Sequence, residues 1–545
     1  MEIKAKIVSS LEKCFLDESI DKYAELKEEK IFKNQKFSFQ IAFEVPKDKV
    51  YFIKAETESE LDEYIQIKEV KNIPSDMAVF THSDEDVLRR ETGLYPDLLR
   101  PGNISAKGTT NAFWFILEPE SQITGKYPIT IKLLDVFTNE LYAEKTVVID
   151  ISDIALPEQE LIFGQWLHID CIADYYKETP FTDRFNEICE NFVKKAVAGG
   201  RNMMMVPLLT PSLDIHHYGY RTDIQLVKIY KNGDEYIFDY TRLDWWLDML
   251  KRNGVKYYEV CHLFTQWGAT NAPAVMAYEN GEYKRIFGWD TDALCDEFKT
   301  FLRFFIKSFI DHMKERGEDE KCMFHISDEP IEEHIPQFKA VKEIVADLIK
   351  DYHHIDALSH YEFYDLGLID TPVPGTPHIK PFIENKVPEL WCYYCGGQAQ
   401  GVSNCHFAMS LARTRYIGVQ FFKYNVKGFL NWGYNFYNNQ WSYEHVDPFL
   451  TSTGECFVAS GDTYMVYPAP DGSAWESNRY MAFYEAIEDL RAMKLCASLY
   501  SYDEVIKVIE EITGEIVFDK CVCDSETMLK IRHTINNMIF DKLGK

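Results

Sequence analysis

Several signals that define common protein classes are missing from this chain of 545 residues. The N-terminus shows no apolar run of the signal-peptide type, and no uncharged apolar stretch reaches the roughly 18 residues that a membrane-spanning helix needs. There is no long basic run, no P-loop, no GxGxxG after a predicted strand and no GxSxG. These absences argue against a membrane protein, nucleotide chemistry and serine hydrolysis.

Cysteine usage and charge restrict the setting and the partners further. The 13 cysteines are an odd number scattered along a long chain, which is typical of a reducing compartment, so we predict a cytoplasmic protein. The formal net charge of −29 repels phosphate backbones, and nucleic acid is therefore not an expected partner. Cys392 and Cys395 have zinc-type spacing, but no second such pair accompanies them. We expect no metal and no cofactor, and the sequence does not indicate an oligomeric state.

What is present is the composition of a globular protein, with 46% hydrophobic and 27% charged residues. The length predicts two or three domains. Strand-type apolar runs separated by turn residues occur before residue 155, and this pattern predicts an N-terminal β-sandwich domain over residues 1–155. These runs lie at 37–45, 51–56, 111–117, 127–134 and 141–151.

After residue 158 the pattern changes to alternating strands and helices. Eight strands in this rhythm fit an α/β protein with a (β/α)8 barrel, and we assign the catalytic barrel to residues 156–500. Residues 501–545 are predicted to form a mostly helical C-terminal tail with one short strand at 515–518. The predicted barrel strands are 162–168, 202–207, 257–262, 322–327, 355–359, 368–373, 390–394 and 428–432.

The fourth predicted strand ends in two adjacent acids, Asp328 and Glu329, followed by Pro330. Barrel enzymes place their catalytic groups at the carboxyl ends of strands. Two neighbouring carboxylates raise each other's pKa, so that one can stay protonated near neutral pH and act as a general acid. In the alternative interpretation, Asp328 only caps the following segment and Glu329 is only solvated.

Aromatic residues are abundant near the other predicted strand ends. A pocket rimmed by Trp and Tyr is typical of a carbohydrate site, although the same side chains also fill barrel cores. The residues concerned are Trp391, Tyr393, Tyr394, Trp432 and Trp441.

An ordered set of motifs resembles glycoside hydrolase family 123, whose known members are β-N-acetylgalactosaminidases. The resemblance spans about 158–495 and implies a β-sandwich followed by a (β/α)8 barrel. The usual glycine before the Ile-Glu-Asp segment of the last motif is Ala486 here. The motifs are the sequences at 327–330 (SDEP), 391–395 (WCYYC), 428–433 (GFLNWG), 467–468 (YP), 477–479 (SNR) and 486–489 (AIED).

This resemblance implies a retaining, substrate-assisted mechanism. Glu329 would be the general acid/base, and Asp328 would orient the 2-acetamido group, whose carbonyl oxygen attacks the anomeric carbon to give an oxazolinium intermediate. The substrate would be a glycan or oligosaccharide. We predict substrate contacts from the aromatic residues above, with Tyr394 preferred to Tyr393 for holding the acetamido carbonyl, and from His262 and Asn435.

Two alternatives stay open at this stage. A glycosidase of another specificity would use an enzyme nucleophile on a different strand, for which Asp170 and Glu362 are candidates. A non-catalytic carbohydrate-binding protein would keep the barrel without the reaction. The sequence does not separate galacto from gluco configuration.

Overall fold

A computed structural model describes residues 3–544. Its N-terminal part consists of ten strands that form two five-stranded sheets, in the orders β1-β3-β8-β5-β6 and β2-β10-β9-β4-β7. The strands are β1 (Lys4–Ser9), β2 (Glu28–Phe32), β3 (Phe37–Glu44), β4 (Tyr51–Glu58), β5 (Ile65–Ser75), β6 (Gly93–Arg100), β7 (Ile104–Ala106), β8 (Thr110–Leu117), β9 (Gly125–Asp135) and β10 (Leu141–Ser152).

Alternating apolar residues explain how these sheets pack. Successive side chains of a strand point to opposite faces. In β3 the alternate residues Phe39, Ile41 and Phe43 are therefore buried together, in one hydrophobic cluster that takes residues from both sheets. Phe39 lies opposite Phe115 of β8, and their rings stack with centroids 5.1 Å apart. The N-terminal region is thus β-rich, as predicted, and the sandwich arrangement of its sheets stays a prediction.

Residues 162–431 contain an eight-stranded parallel sheet in the order β20-β19-β18-β15-β12-β11-β22-β21. A single bridge between Gly375 and Tyr393 joins its two ends, so the sheet is a nearly closed barrel. Each of the eight predicted strand segments overlaps one of these strands. The strands of this region are β11 (Ile162–Gln165), β12 (Met203–Val206), β13 (Lys228–Asn232), β14 (Glu235–Asp239), β15 (Tyr257–Val260), β16 (Val275–Glu279), β17 (Glu282–Phe287), β18 (Cys322–Phe324), β19 (His353–Ala357), β20 (Thr371–Val373), β21 (Trp391–Tyr393) and β22 (Gly428–Asn431).

The barrel interior is filled by side chains. Met203, Met323 and Trp391 belong to one small buried cluster formed by barrel strands. Glycines make room for them: a Cβ atom on Gly164 would lie 2.4 Å from the Met203 side chain, and one on Gly428 would lie 2.0 Å from Trp391. The barrel is therefore a packed core, and a ligand has space only at its rim.

Helices alternate with the barrel strands, and α11 to α13 form the C-terminal part together with a hairpin of β23 (Val466–Pro468) and β24 (Ala474–Glu476). Strands β13, β14, β16 and β17, inserted after β12 and β15, form a separate four-stranded sheet. The helices are α1 (Ile169–Tyr176), α2 (Asp183–Ala198), α3 (Thr241–Arg252), α4 (Asp296–Arg316), α5 (Ile335–Glu343), α6 (Ala346–Ile349), α7 (Glu362–Asp365), α8 (Lys380–Glu384), α9 (Leu411–Arg415), α10 (Ile417–Lys423), α11 (Asn478–Leu499), α12 (Tyr502–Thr513) and α13 (Ser525–Leu543).

The helices and strands bear on two predictions, the short strand in the C-terminal tail and the absence of a membrane-spanning helix. The strand expected at 515–518 is wrong, because these residues form irregular chain between α12 and α13. Among residues 3–544, none of the helices combines the length and the apolar character needed to cross a membrane. The domain limits at 155 and 500 and the cytoplasmic location stay predictions.

The N-terminal sheets are joined to the barrel region by buried ion pairs. Asp97 of β6 and Arg479 of α11 form a two-bond pair with distances of 2.7 and 2.9 Å, and both side chains are fully buried. The Tyr467 hydroxyl donates a third hydrogen bond, of 2.5 Å, to Asp97. Arg413 of α9 likewise pairs with Asp84. The two regions therefore share a fixed interface.

Candidate active site

A cavity of about 240 Å³ lies at the carboxyl ends of the barrel strands. Its wall combines carboxylates with aromatic and small side chains. The residues in the wall are Trp166, Asp214, Trp267, Asp328, Glu329, Ala357, Tyr393, Cys395, Gly396, Gly397, Leu430, Asn431, Trp432, Phe457, Val458 and Asp462.

Asp328 and Glu329 both reach this cavity although they are neighbours in sequence. In a regular strand they would point to opposite sides. The backbone leaves β-geometry here, because Glu329 adopts a left-handed conformation with φ 43°. Two backbone hydrogen bonds fix the turn: Trp267 N–H donates to the Asp328 carbonyl at 3.1 Å, and Glu329 N–H donates to the Ala357 carbonyl at 3.0 Å. A left-handed non-glycine residue costs about 1–3 kcal/mol, which the surrounding structure must offset.

The environment of the pair favours the protonated form of Asp328. Burial raises the pKa of Asp328 well above its usual value, and the neighbouring Glu329 raises it further. The Tyr393 hydroxyl donates a hydrogen bond of 2.5 Å to Glu329 Oε1. Burial and the same glutamate raise the pKa of Tyr393, so its hydroxyl stays a proton donor. The cavity therefore contains the acid pair Asp328 and Glu329, and the Tyr393 hydroxyl is hydrogen-bonded to Glu329.

A buried charged network lies directly below the pair. His325 Nε2 is 2.8 Å from Glu259 and Nδ1 is 3.2 Å from Asp356. Burial lowers the pKa of His325, but hydrogen bonds to the two carboxylates outweigh it and raise that pKa to about 9. Trp166 Nε1 also donates to Glu259, at 2.7 Å. The protonated ring of His325 thus links β15 and β19 to the end of β18. His325 precedes Asp328 by three residues in the sequence.

His262 stacks on His325, with ring centroids 4.2 Å apart, and lies outside the cavity wall. Donor atoms of His262, His325 and Asp356 lie within 4.8 Å of one another, a grouping that could hold a metal ion. Metal binding requires neutral imidazoles. The two carboxylates bonded to His325 favour its protonated form, so the geometry fits a hydrogen-bonded charge network better than a metal site.

Two carboxylates that the sequence analysis missed complete the cavity. Burial raises the pKa of both Asp214 and Asp462 to about 7. Asp462 Oδ2 accepts a hydrogen bond from Trp432 Nε1 at 2.9 Å. Its Oδ1 has no hydrogen-bond partner among residues 3–544 and lies 3.9 Å from His406 Nε2. Both acids lie in loops on the carboxyl side of the barrel, a position that could have singled them out.

Of the predicted contact residues, Tyr393 and Trp432 line the cavity and Trp391 does not. Trp391 fills the barrel core instead. Tyr394 follows Tyr393 on the strand and therefore points to the opposite face, where its ring packs on Phe429 with centroids 4.9 Å apart. The preference for Tyr394 over Tyr393 is thus not supported by where the structure places the two side chains.

Asn435 and Trp441 also lie outside the cavity wall. Asn435 is fully buried and bonds the backbone of His168, accepting at 2.8 Å and donating at 3.0 Å. Trp441 is 40% exposed on the loop beyond β22. The candidate nucleophiles of the alternative glycosidase are elsewhere too: Asp170 is buried in an ion pair with Arg221, and Glu362 is exposed on α7.

Comparisons with known proteins identify the family and the fold of the chain. A family model described as "Glycoside hydrolase 123, catalytic domain" matches residues 166–496. A family 123 glycoside hydrolase from Clostridium perfringens, solved in a study of glycolipid glycan hydrolysis, is similar over 99% of both chains, with 16% identity and a TM-score of 0.76. A Bacteroides ovatus GH5 xyloglucanase shares 9% identity over 85% of this chain and 98% of its own, with a TM-score of 0.31. No curated protein sequence matches the chain.

Proposed function

Because the chain belongs to glycoside hydrolase family 123, we propose that it is a retaining glycosidase that releases terminal β-linked N-acetylhexosamine, with N-acetylgalactosamine as the expected sugar. The observation that carries this proposal is the acid pair Asp328 and Glu329 in one cavity, with the Tyr393 hydroxyl on Glu329. The similar Clostridium perfringens enzyme acts in glycolipid glycan hydrolysis. Glycans of that kind are therefore candidate substrates.

In the proposed reaction the substrate supplies the nucleophile. Asp328 accepts a hydrogen bond from the N–H of the 2-acetamido group, and the carbonyl oxygen of that group attacks the anomeric carbon. Glu329 protonates the leaving oxygen and later deprotonates the attacking water. The raised pKa of Asp328 supports a pair that retains a proton before substrate binds. This scheme belongs to the substrate-assisted exceptions among glycosidases.

The remaining wall residues have supporting roles in this proposal. Tyr393, in place of Tyr394, orients Glu329 by its hydrogen bond. Trp432 offers an aromatic face for the C–H face of the sugar, and its indole is held by Asp462. Asp214 and Asp462 line the cavity, where carboxyl oxygens can accept hydrogen bonds from sugar hydroxyls.

The experiment is to measure nitrophenol release from the 4-nitrophenyl β-glycosides of N-acetylgalactosamine, N-acetylglucosamine and galactose in parallel. Release from acetamido sugars alone is the expected result, because only they carry the internal nucleophile. The faster of the two acetamido substrates then gives the preferred C4 configuration. Release from the galactoside would contradict substrate assistance.

A second candidate is a glycosidase with an enzyme nucleophile, which the presence of Asp214 and Asp462 in the same cavity favours. A thiazoline analogue of the oxazolinium intermediate separates the two candidates, because intermediate-like ligands bind tightly only to the enzyme that forms that intermediate. Strong inhibition supports substrate assistance. No inhibition, together with galactoside cleavage, would support the enzyme nucleophile.

A further inference from the structure

Two cysteines in the chain between α12 and α13 have their thiols in contact. Cys521 Sγ and Cys523 Sγ are 3.8 Å apart and are hydrogen-bonded to each other. Among residues 3–544, none of the other cysteines is hydrogen-bonded to a second thiol. Neither cysteine lines the cavity that contains the acid pair. We call residues 514–524 the cysteine loop, and its two thiols are close enough to react with each other.

The backbone of the cysteine loop is anchored on both sides of the two thiols. Before them, the Gln420 side-chain amide donates to the Val517 carbonyl at 2.8 Å. After them, the Asp524 carboxylate caps α13 by accepting a hydrogen bond of 2.7 Å from Thr527 N–H. Val522, which separates the two cysteines, packs against the main hydrophobic core. These anchors hold the two thiols side by side.

A disulfide bond between the two sulfurs requires only a small movement. The sulfurs of a disulfide are about 2 Å apart, so each sulfur has to move by about 1 Å from its present position. Rotation of two side chains can supply such a movement without unfolding the loop. Both cysteines are half-buried, so a small reagent can reach them, whereas cysteines such as Cys189 and Cys392 are buried in the core.

The surroundings favour a thiolate on Cys523. Its hydrogen bond with Cys521 lowers the pKa of Cys523, and the guanidinium of Arg413 lowers it further, while burial and the carboxylates of Asp84 and Asp86 act in the opposite direction. The same hydrogen bond, together with burial, raises the pKa of Cys521. The thiolate is the nucleophile in thiol–disulfide exchange. Cys523 is therefore the attacking thiol and Cys521 the resolving thiol.

We propose that Cys521 and Cys523 form a redox-active dithiol, which a low-molecular-weight disulfide such as oxidised glutathione converts into an internal disulfide. The inference is independent of the proposed function. The Cys523 thiolate attacks one sulfur of the reagent, the S–S bond of the reagent breaks, and the first small thiolate leaves and takes up a proton. Cys521 then loses its proton to solvent and attacks Cys523 Sγ, which releases the second small thiol. Two protein thiols are oxidised, and one disulfide is reduced to two thiols.

An exposed cysteine elsewhere in the chain provides a comparison. Cys456 lies on an exposed part of the chain, and its thiol donates to Asp76 at 3.5 Å. A thiol with no second thiol beside it cannot be resolved, so its reaction with oxidised glutathione ends at a mixed disulfide. The same reagent should therefore give two different products, a glutathione adduct at Cys456 and an internal disulfide in the cysteine loop.

The test treats the full-length protein with oxidised glutathione at mildly alkaline pH, blocks the remaining thiols with N-ethylmaleimide in denaturant, and measures the intact mass and a peptide map. We expect Cys521 and Cys523 to be unblocked, to carry no glutathione and to be joined to each other, and dithiothreitol should restore both thiols. Cys521→Ser and Cys523→Ser should each lose the internal disulfide and keep one glutathione on the remaining cysteine. Cys456→Ser is the matched control, and it should lose only the adduct at that position.

The unaltered protein alone decides the main question, so a variant that folds poorly does not weaken the test. Free thiols at both Cys521 and Cys523 after Cys456 has reacted would overturn the proposal. A separate glutathione on each of the two cysteines would overturn it too, because the thiols would then react as independent groups. A peptide that joins either cysteine to a different cysteine would exclude the proposed pair.

Discussion

The two walls of the cavity are built differently. On one side, residues 452–462 carry Phe457, Val458 and Asp462, and this braced wall is hydrogen-bonded to the N-terminal region. On the other side, the open wall is formed by Asp214 and Trp267, which both have left-handed backbone, and Trp267 is 42% exposed. The braced wall is anchored to the N-terminal region, although Glu455 and Cys456 in it are exposed and left-handed, whereas the open wall has no such anchor.

The contacts of the braced wall are short and buried. Ser460 N–H donates to the Met77 carbonyl at 3.0 Å, and the hydroxyls of Ser75 and Ser460 are 2.6 Å apart. The Thr453 hydroxyl donates to Asp76 at 2.7 Å. Arg479, paired with Asp97, also donates to the Gly461 carbonyl at 2.6 Å, next to Asp462. The N-terminal region thus positions a cavity wall that it does not itself line.

This difference suggests a role for the braced wall in holding a bound sugar. Recognition of one sugar ring depends on polar atoms held in fixed places, because a displaced hydrogen-bond partner is lost. Under the proposed function, the braced wall is therefore suited to the terminal sugar.

The largest effect is expected at the acid pair, which lies in the cavity that both walls line. Glu329→Gln should lower kcat/KM about 100-fold or more, because the general acid is lost. The measurement is nitrophenol release at neutral pH. Glu333→Gln, an exposed glutamate four residues further along, is the control and should leave the rate unchanged. Near-normal turnover by Glu329→Gln would remove the acid pair from the mechanism.

Asp328→Asn tests the alternative interpretation of the same pair. We expect at least about a tenfold loss of activity with an intact fold, because an amide replaces the carboxyl group that accepts the hydrogen bond of the acetamido N–H. Circular dichroism and thermal unfolding check the fold. An unfolded variant would instead mean that Asp328 is chiefly a cap of the turn that follows β18.

The next largest effect concerns the support of the braced wall. Asp97→Asn leaves the buried Arg479 without its charged partner, and we expect a loss of about 3–5 kcal/mol in the free energy of unfolding. Denaturant unfolding measures it. Asp21→Asn, which removes an exposed partner of Lys4, is the control and should change stability by less than about 1 kcal/mol. If both variants were equally stable, the braced wall would not depend on this pair.

The barrel and its acid pair could be predicted from the sequence because their signals are local. Parallel barrel strands are buried on both faces and read as apolar runs, and Asp328 and Glu329 directly follow one of them. The sequence also predicts β20, although Pro372 interrupts it. A proline is tolerated there because this strand pairs fully only with β19, and a single bridge joins this end of the sheet to β21. Strand-end positions therefore pointed to the acid pair that lines the cavity.

What could not be predicted depends on geometry that no local pattern contains. The choice between Tyr393 and Tyr394 is a matter of which face of β21 each occupies, and an error of one residue reverses it. Asp214 and Asp462 lie in long loops, whose path is set by contacts with Gln266 and with the N-terminal region. The left-handed conformation of Glu329 could not be predicted from the sequence, because such positions are usually marked by glycine.

A smaller effect is expected for the polar groups of each wall. Asp462→Asn should lower kcat/KM for the acetamido glycoside about tenfold, because an amide replaces the carboxyl group that accepts a hydrogen bond from a sugar hydroxyl. The loss should vanish on the deoxy analogue that lacks this hydroxyl. Asp214→Asn is the corresponding variant on the open wall, and its loss of kcat/KM is compared with that of Asp462→Asn. Equal losses on every deoxy analogue would mean that Asp462 acts only by holding Trp432.

The smallest effect is a pH dependence of stability. Burial raises the pKa of Asp462 to about 7 in the folded protein, while in the unfolded chain it titrates near 3.8. Between these values the folded state binds more protons than the unfolded state, so this group lowers stability as pH rises from about 4 to 7. Asp462→Asn removes that loss. Its melting temperature relative to the unaltered protein should therefore be higher at pH 8 than at pH 5, by about 1 °C or more. A difference of the opposite sign would mean that Asp462 is held ionised by its neighbours, and the braced wall would then carry a fixed negative charge.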